Sequence, residues 1–237
     1  MIVFDGQGIL LDVEGTTSSI SFVYDVLFTF ARQHIADFLV RERGSALVRE
    51  VAGELAAEAG IGDASLDDDA GIRRIVQAAL DLINRDVKST PLKALQGMIW
   101  RQGFESGALV SHVFDDVPPA LARWADSGID VRIYSSGSIE AQRLFFAHTS
   151  AGDLTRHLRG HYDTTTGPKR EASSYTRIAA DMGMDPRRIL FLSDIGAELD
   201  AARQAGMATG LAVRPGNRDP GGLLDHEPLS SFADIVT

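Results

Sequence analysis

Asp12-Val13-Glu14-Gly15-Thr16 sets two carboxylates two residues apart, directly after the apolar run Ile9-Leu10-Leu11. An Asp in such a turn can attack a phosphoryl group and form an aspartyl phosphate. A second acid two residues on can protonate the leaving oxygen and then activate water. Asp12 and Glu14 are therefore the candidate catalytic pair, with Gly15 allowing close backbone approach. The same residues also read as an Asx-turn capping the next element, with Glu14 a solvated loop charge. Three further clusters could serve the same chemistry. Ser135-Ser136-Gly137-Ser138 follows Val131-Arg132-Ile133-Tyr134, and hydroxyls with free N–H groups at a strand end can hold phosphate oxygens. Ser138 equally suits an N-cap ahead of Ile139-Glu140-Ala141. Lys169, in Gly167-Pro168-Lys169, could neutralise a phosphate and an aspartyl nucleophile together, or lie exposed as most lysines do. Asp194, after Ile189-Leu190-Phe191-Leu192-Ser193, could join Asp12 in an oxygen-rich site for Mg²⁺. Glu198 and Asp200 read more simply as acids favoured by the positive end of a helix.

The elements that must position these groups are legible around them. Gly8–Leu11, Val131–Tyr134, Ile189–Leu192 and Gly210–Val213 are apolar runs of buried-strand length, ending in polar, Gly or Pro residues. Helical stretches precede three of them: Pro118-Pro119 through Ser127 with Gly128 as stop, Glu171 to Met182 with Gly183 as stop, and Leu199 to Gln204 before Gly206. Alternating helix and strand implies a parallel sheet with helices on both faces. In such sheets ligands sit at the carboxyl ends of the strands, and those ends carry Asp12, Ser135-Ser136 and Ser193-Asp194.

Between Ser19 and Phe114 the pattern changes. Phe22, Val26, Leu27, Phe30, His34, Ile35, Phe38 and Leu39 recur at helical spacing, which predicts one long helix with His34 on its apolar face. Ala46–Ala59, Ile72–Arg85 and Leu92–Phe104 read as further helices, with Trp100 and Phe104 packed inside the insert. Gly60–Gly71, with Asp67-Asp68-Asp69, reads as an acidic solvated loop. A helical insert at this point is expected to lie over the strand ends as a lid.

The 237 residues carry 33 acidic and 23 basic side chains, 23 − 33 = −10, and no cysteine. The charge disfavours nucleic acid and anionic membranes as partners. The missing thiols exclude disulfides, thiolate nucleophiles and Cys-ligated metal. Neither a signal-peptide start nor an 18-residue apolar run is present, so the expectation is a cytoplasmic protein without a membrane partner. No coiled coil or apolar patch calls for a second copy, so a monomer is expected.

Taken in chain order, Asp12 with Glu14, then Ser135, Lys169 and Asp194 resemble the four motifs of the haloacid dehalogenase superfamily of aspartyl phosphotransferases. The resemblance implies an α/β, Rossmann-like parallel-sheet core at 1–18 and 115–237, with a helical cap inserted at 19–114. It implies Asp12 as nucleophile, and Ser135, Ser136 and Lys169 as phosphate-binding groups. Mg²⁺ would be held by Asp12, Asp194 and position 14, the last through its main-chain carbonyl, which leaves the Glu14 carboxylate for proton transfer. Most members carry Asp where this chain has Glu14. The stretches 12–28, 133–142 and 162–171, with Gly97-Met98-Ile99-Trp100 and the Gly103–Gly107 spacing, resemble a branch that enolises a small phosphorylated diketone and then removes its phosphate. Glu14 is the favoured base for the enolisation, with His112 as its rival. The resemblance extends from Ile9 to Asn217. A sugar-phosphate phosphatase, a metal-independent carbon–halogen hydrolase in which Asp12 attacks carbon, and a non-catalytic binding module remain open as alternatives. Mg²⁺ dependence and substrate preference separate them.

Overall fold

The computed structural model describes residues 1–85, 87, 89–217 and 225–237. Among these the chain falls into two compact units, Met1–Phe22 with Val110–Thr237, and Val23–Leu109.

The first unit is an α/β sandwich. Its strands are β1 (Ile2–Val3), β2 (Gly8–Leu11), β3 (Asp130–Tyr134), β4 (Gly160–Tyr162), β5 (Ile189–Ser193), β6 (Ala208–Ala212), β7 (Glu227–Leu229) and β8 (Ile235–Val236). Six form one parallel sheet in the order β4-β3-β2-β5-β6-β7, while β1 and β8 pair separately. Every residue of β2 and β5 is buried, because both faces of these central strands are covered, and their sequences are accordingly continuous apolar runs. The chain moves outward from β2 to β3 and β4, then returns to the other side of β2 to lay down β5. That return makes the junction of β2 and β5 the topological switch point, where doubly wound sheets bind ligands. Leu11 pairs with Leu192, and Asp12 N donates to the Leu192 carbonyl (3.0 Å), so the residues just past both strands lie side by side.

Helices α5 (Val117–Asp126), α6 (Ile139–Ala147), α7 (Ala172–Met182) and α8 (Gly196–Gln204) complete this unit. α5 starts on its two prolines, α7 stops at Gly183 in the left-handed conformation, and Ser138 Oγ caps α6 by accepting from Ala141 N (3.2 Å). The last expected strand is displaced: β6 ends at Ala212, and Val213 beyond it is exposed.

On β4, burial and the nearby Arg143 charge push the His161 imidazole down to about 4. Its Nδ1 lies 3.2 Å from Gln142 Oε1, and Gln142 Nε2 donates to the Gly137 and Tyr162 carbonyls (both 2.8 Å). Oε1 is thus left as an acceptor and Nδ1 carries the hydrogen. An unfolded imidazole titrates near ~6.5, so between about 6.5 and 4 the unfolded chain binds more protons, and stability falls as the pH is lowered through that window. His161→Gln is expected to remove about 1–3 kcal/mol of this acid-side loss, measured as the difference between urea midpoints at the two ends of the window.

The second unit comprises α1 (Phe28–Glu42), α2 (Ala46–Glu58), α3 (Asp69–Asn84) and α4 (Thr90–Glu105). Ser45, Asp68 and Ser89 cap the last three by accepting from Val48 N, Gly71 N and Leu92 N. Ile35, Leu39, Leu55, Ile75, Leu95 and Ile99 pack into a common core. Two expectations change here. The first helix opens as a wider π-wound segment, Phe22–Leu27, which rotates the register and leaves Val26 exposed. His34 is also exposed rather than core; its ring folds back on Phe30 (centroids 3.9 Å) and Nδ1–H donates to the Phe30 carbonyl (2.8 Å). Trp100 packs within this unit, stacked on Phe28 with Nε1–H on the Leu27 carbonyl (2.8 Å). Phe104 is buried. Among the described residues no helix is long and apolar enough to cross a membrane.

Candidate active site

The end of β2 delivers Asp12 and the turn after it. Asp12 is buried, and its Oδ1 accepts from Lys169 Nζ (2.7 Å) and Val13 N (2.8 Å), while Oδ2 accepts from Ser193 Oγ (3.1 Å). Lys169 is not the exposed lysine its composition would suggest. Its side chain is only 7% exposed, and Nζ also meets Glu198 Oε2 at 2.7 Å. The loop that carries Lys169 is pinned from below: Tyr134 Oη donates to the Gly167 carbonyl (2.8 Å) and Tyr175 Oη to the Lys169 carbonyl (2.7 Å). Gly167 has φ 152°, and a Cβ there would stand 2.2 Å from Ser174 Oγ, so no larger residue suits this bend.

Burial alone would drive the Lys169 ammonium down, but the Asp12 and Glu198 charges outweigh it and its pKa is raised. Glu198 corrects an expectation. It is no solvated dipole acid but a buried partner of Lys169, brought there because α8 begins three residues past the end of β5. Burial, and then the Asp12 charge, push its carboxyl up. Ser193 Oγ lies 3.0 Å from Glu198 Oε2 as well as 3.1 Å from Asp12, and its single hydrogen serves one carboxylate at a time. Asp200, in contrast, is exposed and pairs with Arg203.

Asp194 lies against the Asp12 turn. Gly15, at φ 70°, leaves room that a Cβ would fill 2.3 Å from Asp194 Oδ2. Burial, followed by the Asp12 charge, pushes the Asp194 carboxyl up to about 7, and the Glu14 charge acts in the same direction. Three carboxylates thus share one ammonium, which leaves excess negative charge in a partly desolvated place. That is the donor chemistry of a hard divalent cation. Among the described residues no three Asp, Glu, His or Cys side chains form a ready cage. The Asp12 and Asp194 carboxylates, held close by the Gly15 turn, are the candidate donors here.

Ser135 is buried at the end of β3, next to β2, with Oγ accepting from Gly137 N (3.2 Å) and its own hydrogen available to an anion. Ser136 is exposed beside it. His112 occupies a fastening position: Nδ1 accepts from Ser19 N (3.2 Å) and lies 3.3 Å from Ser18 Oγ, so that nitrogen is not free to act as a base.

The parallel sheet, its switch point and the Asp12–Lys169 pair define a class. A family model for haloacid dehalogenase-like hydrolases matches residues 2–206, and the chain belongs to that family. Within it, the chain is 50% identical over 231 residues to Enolase-phosphatase E1 of Pseudomonas aeruginosa strain LESB58, covering 97% of this chain and 98% of that one. It is 47% identical over 237 residues to Enolase-phosphatase E1 of Sorangium cellulosum, covering all of both. Among solved structures, the UTR4 protein of Saccharomyces cerevisiae matches with a TM-score of 0.82 and 33% identity, over 97% of this chain and 100% of that one. The family is consistent with a divalent metal.

Proposed function

We propose that this chain enolises 2,3-diketo-5-methylthiopentyl-1-phosphate and hydrolyses its phosphate, giving the acireductone 1,2-dihydroxy-3-keto-5-methylthiopentene of methionine salvage, with Mg²⁺ as cofactor. The observation that carries the reading is the buried Lys169 ammonium holding Asp12 at the switch point, in a chain half identical to enolase-phosphatases.

Asp12 attacks phosphorus, and the bond from phosphorus to the substrate oxygen breaks. The Glu14 carboxyl gives that oxygen its proton. The Glu14 carboxylate then takes a proton from water, whose oxygen displaces Asp12 from the aspartyl phosphate and frees inorganic phosphate. In the enolisation Glu14 removes the proton beside a carbonyl while that carbonyl's oxygen takes one from solvent to become the enol hydroxyl. Glu14 is then the acid that the departing oxygen needs, and the proton it later takes from water returns to solvent. Lys169, Ser135 and Ser136 bind the phosphate oxygens, and Lys169 orients the nucleophile. Asp12, Asp194 and the main chain at Glu14 would hold Mg²⁺, whose positive charge would offset the repulsion between an anionic nucleophile and a dianionic substrate. Phosphate monoesters are among the slowest substrates known to hydrolyse in water, with enzymic accelerations of up to about 10²¹, so covalent attack and fixed positive charge are both required. The helical unit is read as the cap, and the enzyme as a cytoplasmic monomer.

The test is a substrate panel with and without a chelator. The diketone phosphate is expected to be preferred over sugar phosphates and p-nitrophenyl phosphate by at least tenfold in kcat/KM, with activity lost on chelation and restored by Mg²⁺. Equal use of many esters would reduce the protein to a general phosphatase. Metal-independent release of halide from a haloacid would move it to the dehalogenases.

A further inference from the structure

The turn that carries Glu14 is held from outside by a short segment that follows β6. Inside the turn, the N–H groups of Thr16, Thr17 and Ser18 all converge on the Val13 carbonyl (3.2, 3.0 and 2.9 Å). The carbonyls of Gly15, Thr16 and Thr17 are instead taken by donors from far along the chain. Asn217 Nδ2 donates to Gly15 O (2.9 Å), Arg214 Nε to Thr16 O (3.0 Å), and Phe114 N to Thr17 O (3.1 Å). Two of these three donors lie within four residues of one another.

Both side chains are themselves held. Arg214 is buried, its Nη1 meets both Asp116 oxygens (3.0 and 2.9 Å), and its guanidinium lies between the rings of Phe114 and Phe232, 4.7 and 4.5 Å from their centroids. Asn217 Nδ2 also donates to Ala212 O (3.2 Å), and its N–H to Arg214 O (3.1 Å). A buried guanidinium is a poor way to gain stability alone, since its desolvation offsets most of the attraction to Asp116. Arg214 Nη2, Asn217 Oδ1 and Thr16 Oγ1 are moreover buried without a partner among the described residues. Such polar groups are retained where they fix a geometry.

We propose that Arg214 and Asn217 are positioning residues that set the Glu14 carboxyl for proton transfer, acting through the Thr16 and Gly15 carbonyls and taking no part in the attack by Asp12. The proposal rests on the reading of Glu14 as the proton-transfer group. The Asp12 carboxylate has supports outside the turn in Lys169 and Ser193, so loosening the clamp separates the attack from the proton steps.

The test uses the full chain with Mg²⁺ and p-nitrophenyl phosphate, whose leaving group needs no proton. With Asn217→Ala and Arg214→Lys, the single-turnover rate of nitrophenolate release, measured with enzyme in excess, is expected to stay within threefold of wild type. Steady-state turnover, which needs water activated by Glu14, is expected to fall at least tenfold. Glu14→Gln serves as the benchmark and should show the same split. Arg214→Lys keeps a cation for Asp116, and turnover is expressed per active enzyme, counted from the nitrophenolate burst with substrate in excess, so partial misfolding does not mimic the split. A parallel fall in both rates, or no fall in either, overturns the clamp. If Glu14→Gln itself leaves turnover intact, it is the role given to Glu14 that fails.

Discussion

Asp12→Asn is expected to reduce phosphate release to below one per cent of wild type, after deamidation is excluded, while the protein stays folded. The amide keeps the shape: its oxygen can still accept from Val13 N, and its NH2, where Oδ2 stands now, can donate to Ser193 Oγ, whose hydrogen then goes to Glu198, but it cannot form an acyl phosphate. The fold should tolerate the change because Lys169 keeps Glu198 as a partner. The substitution also removes the charge that helps to hold Asp194 up near 7, so the Asp194 pKa should fall. Activity above one per cent with a normal melting transition would contradict the assignment of the nucleophile.

Lys169→Met is expected to be as damaging to activity and worse for stability. Methionine fills the space of the lysine stem but leaves Asp12 and Glu198 as buried carboxylates with no cation between them. Removing one partner of a buried pair costs about 3–5 kcal/mol, since the remaining charge stays desolvated. The deficit should be largest above neutral pH and shrink as the pH falls, because a buried carboxyl with a raised pKa takes up a proton in the folded state before it does so unfolded. Denaturant melts of wild type and variant at pH 5.5 and 8.0 measure this directly. A deficit independent of pH would show that Lys169 acts by packing rather than by charge. A fall in kcat/KM of less than tenfold would remove Lys169 from phosphate binding.

The central part of the fold could be read in the chain because burial on both faces writes itself as unbroken apolar runs. β2, β5 and most of β3 stand where Gly8–Leu11, Ile189–Leu192 and Val131–Tyr134 are found. The helices could be read from their punctuation, Pro118-Pro119 before α5 and Gly183 after α7. The sheet's edges could not. β4 has three residues and β7 is Glu227-Pro228-Leu229, and edge strands are short, polar or Pro-containing. Asp12, Ser135 and Asp194 were visible as residues of the right type at strand ends, and Lys169 as one on a Gly-Pro turn before a helix. Glu198 was not, because an acid in a first helical turn has a sufficient local explanation. Its pairing with Lys169 exists only once α8 has been packed against α7, the helix into which the Lys169 loop leads. Its place four residues after Asp194, one helical turn on, was the available signal. Arg214 and Asn217 left no local trace at all, since what they hold is main chain some two hundred positions earlier.

The most direct test of the central claim is to follow one reaction of the diketone phosphate with Mg²⁺ by ultraviolet absorbance and by released phosphate together. Absorbance from an enolised species that appears ahead of or alongside stoichiometric phosphate, with both signals abolished by chelation and phosphate release abolished by Asp12→Asn, is the predicted result. Phosphate release from the diketone with no enolised absorbance at any time would contradict the account, leaving a capped phosphatase without the enolase half of its reaction.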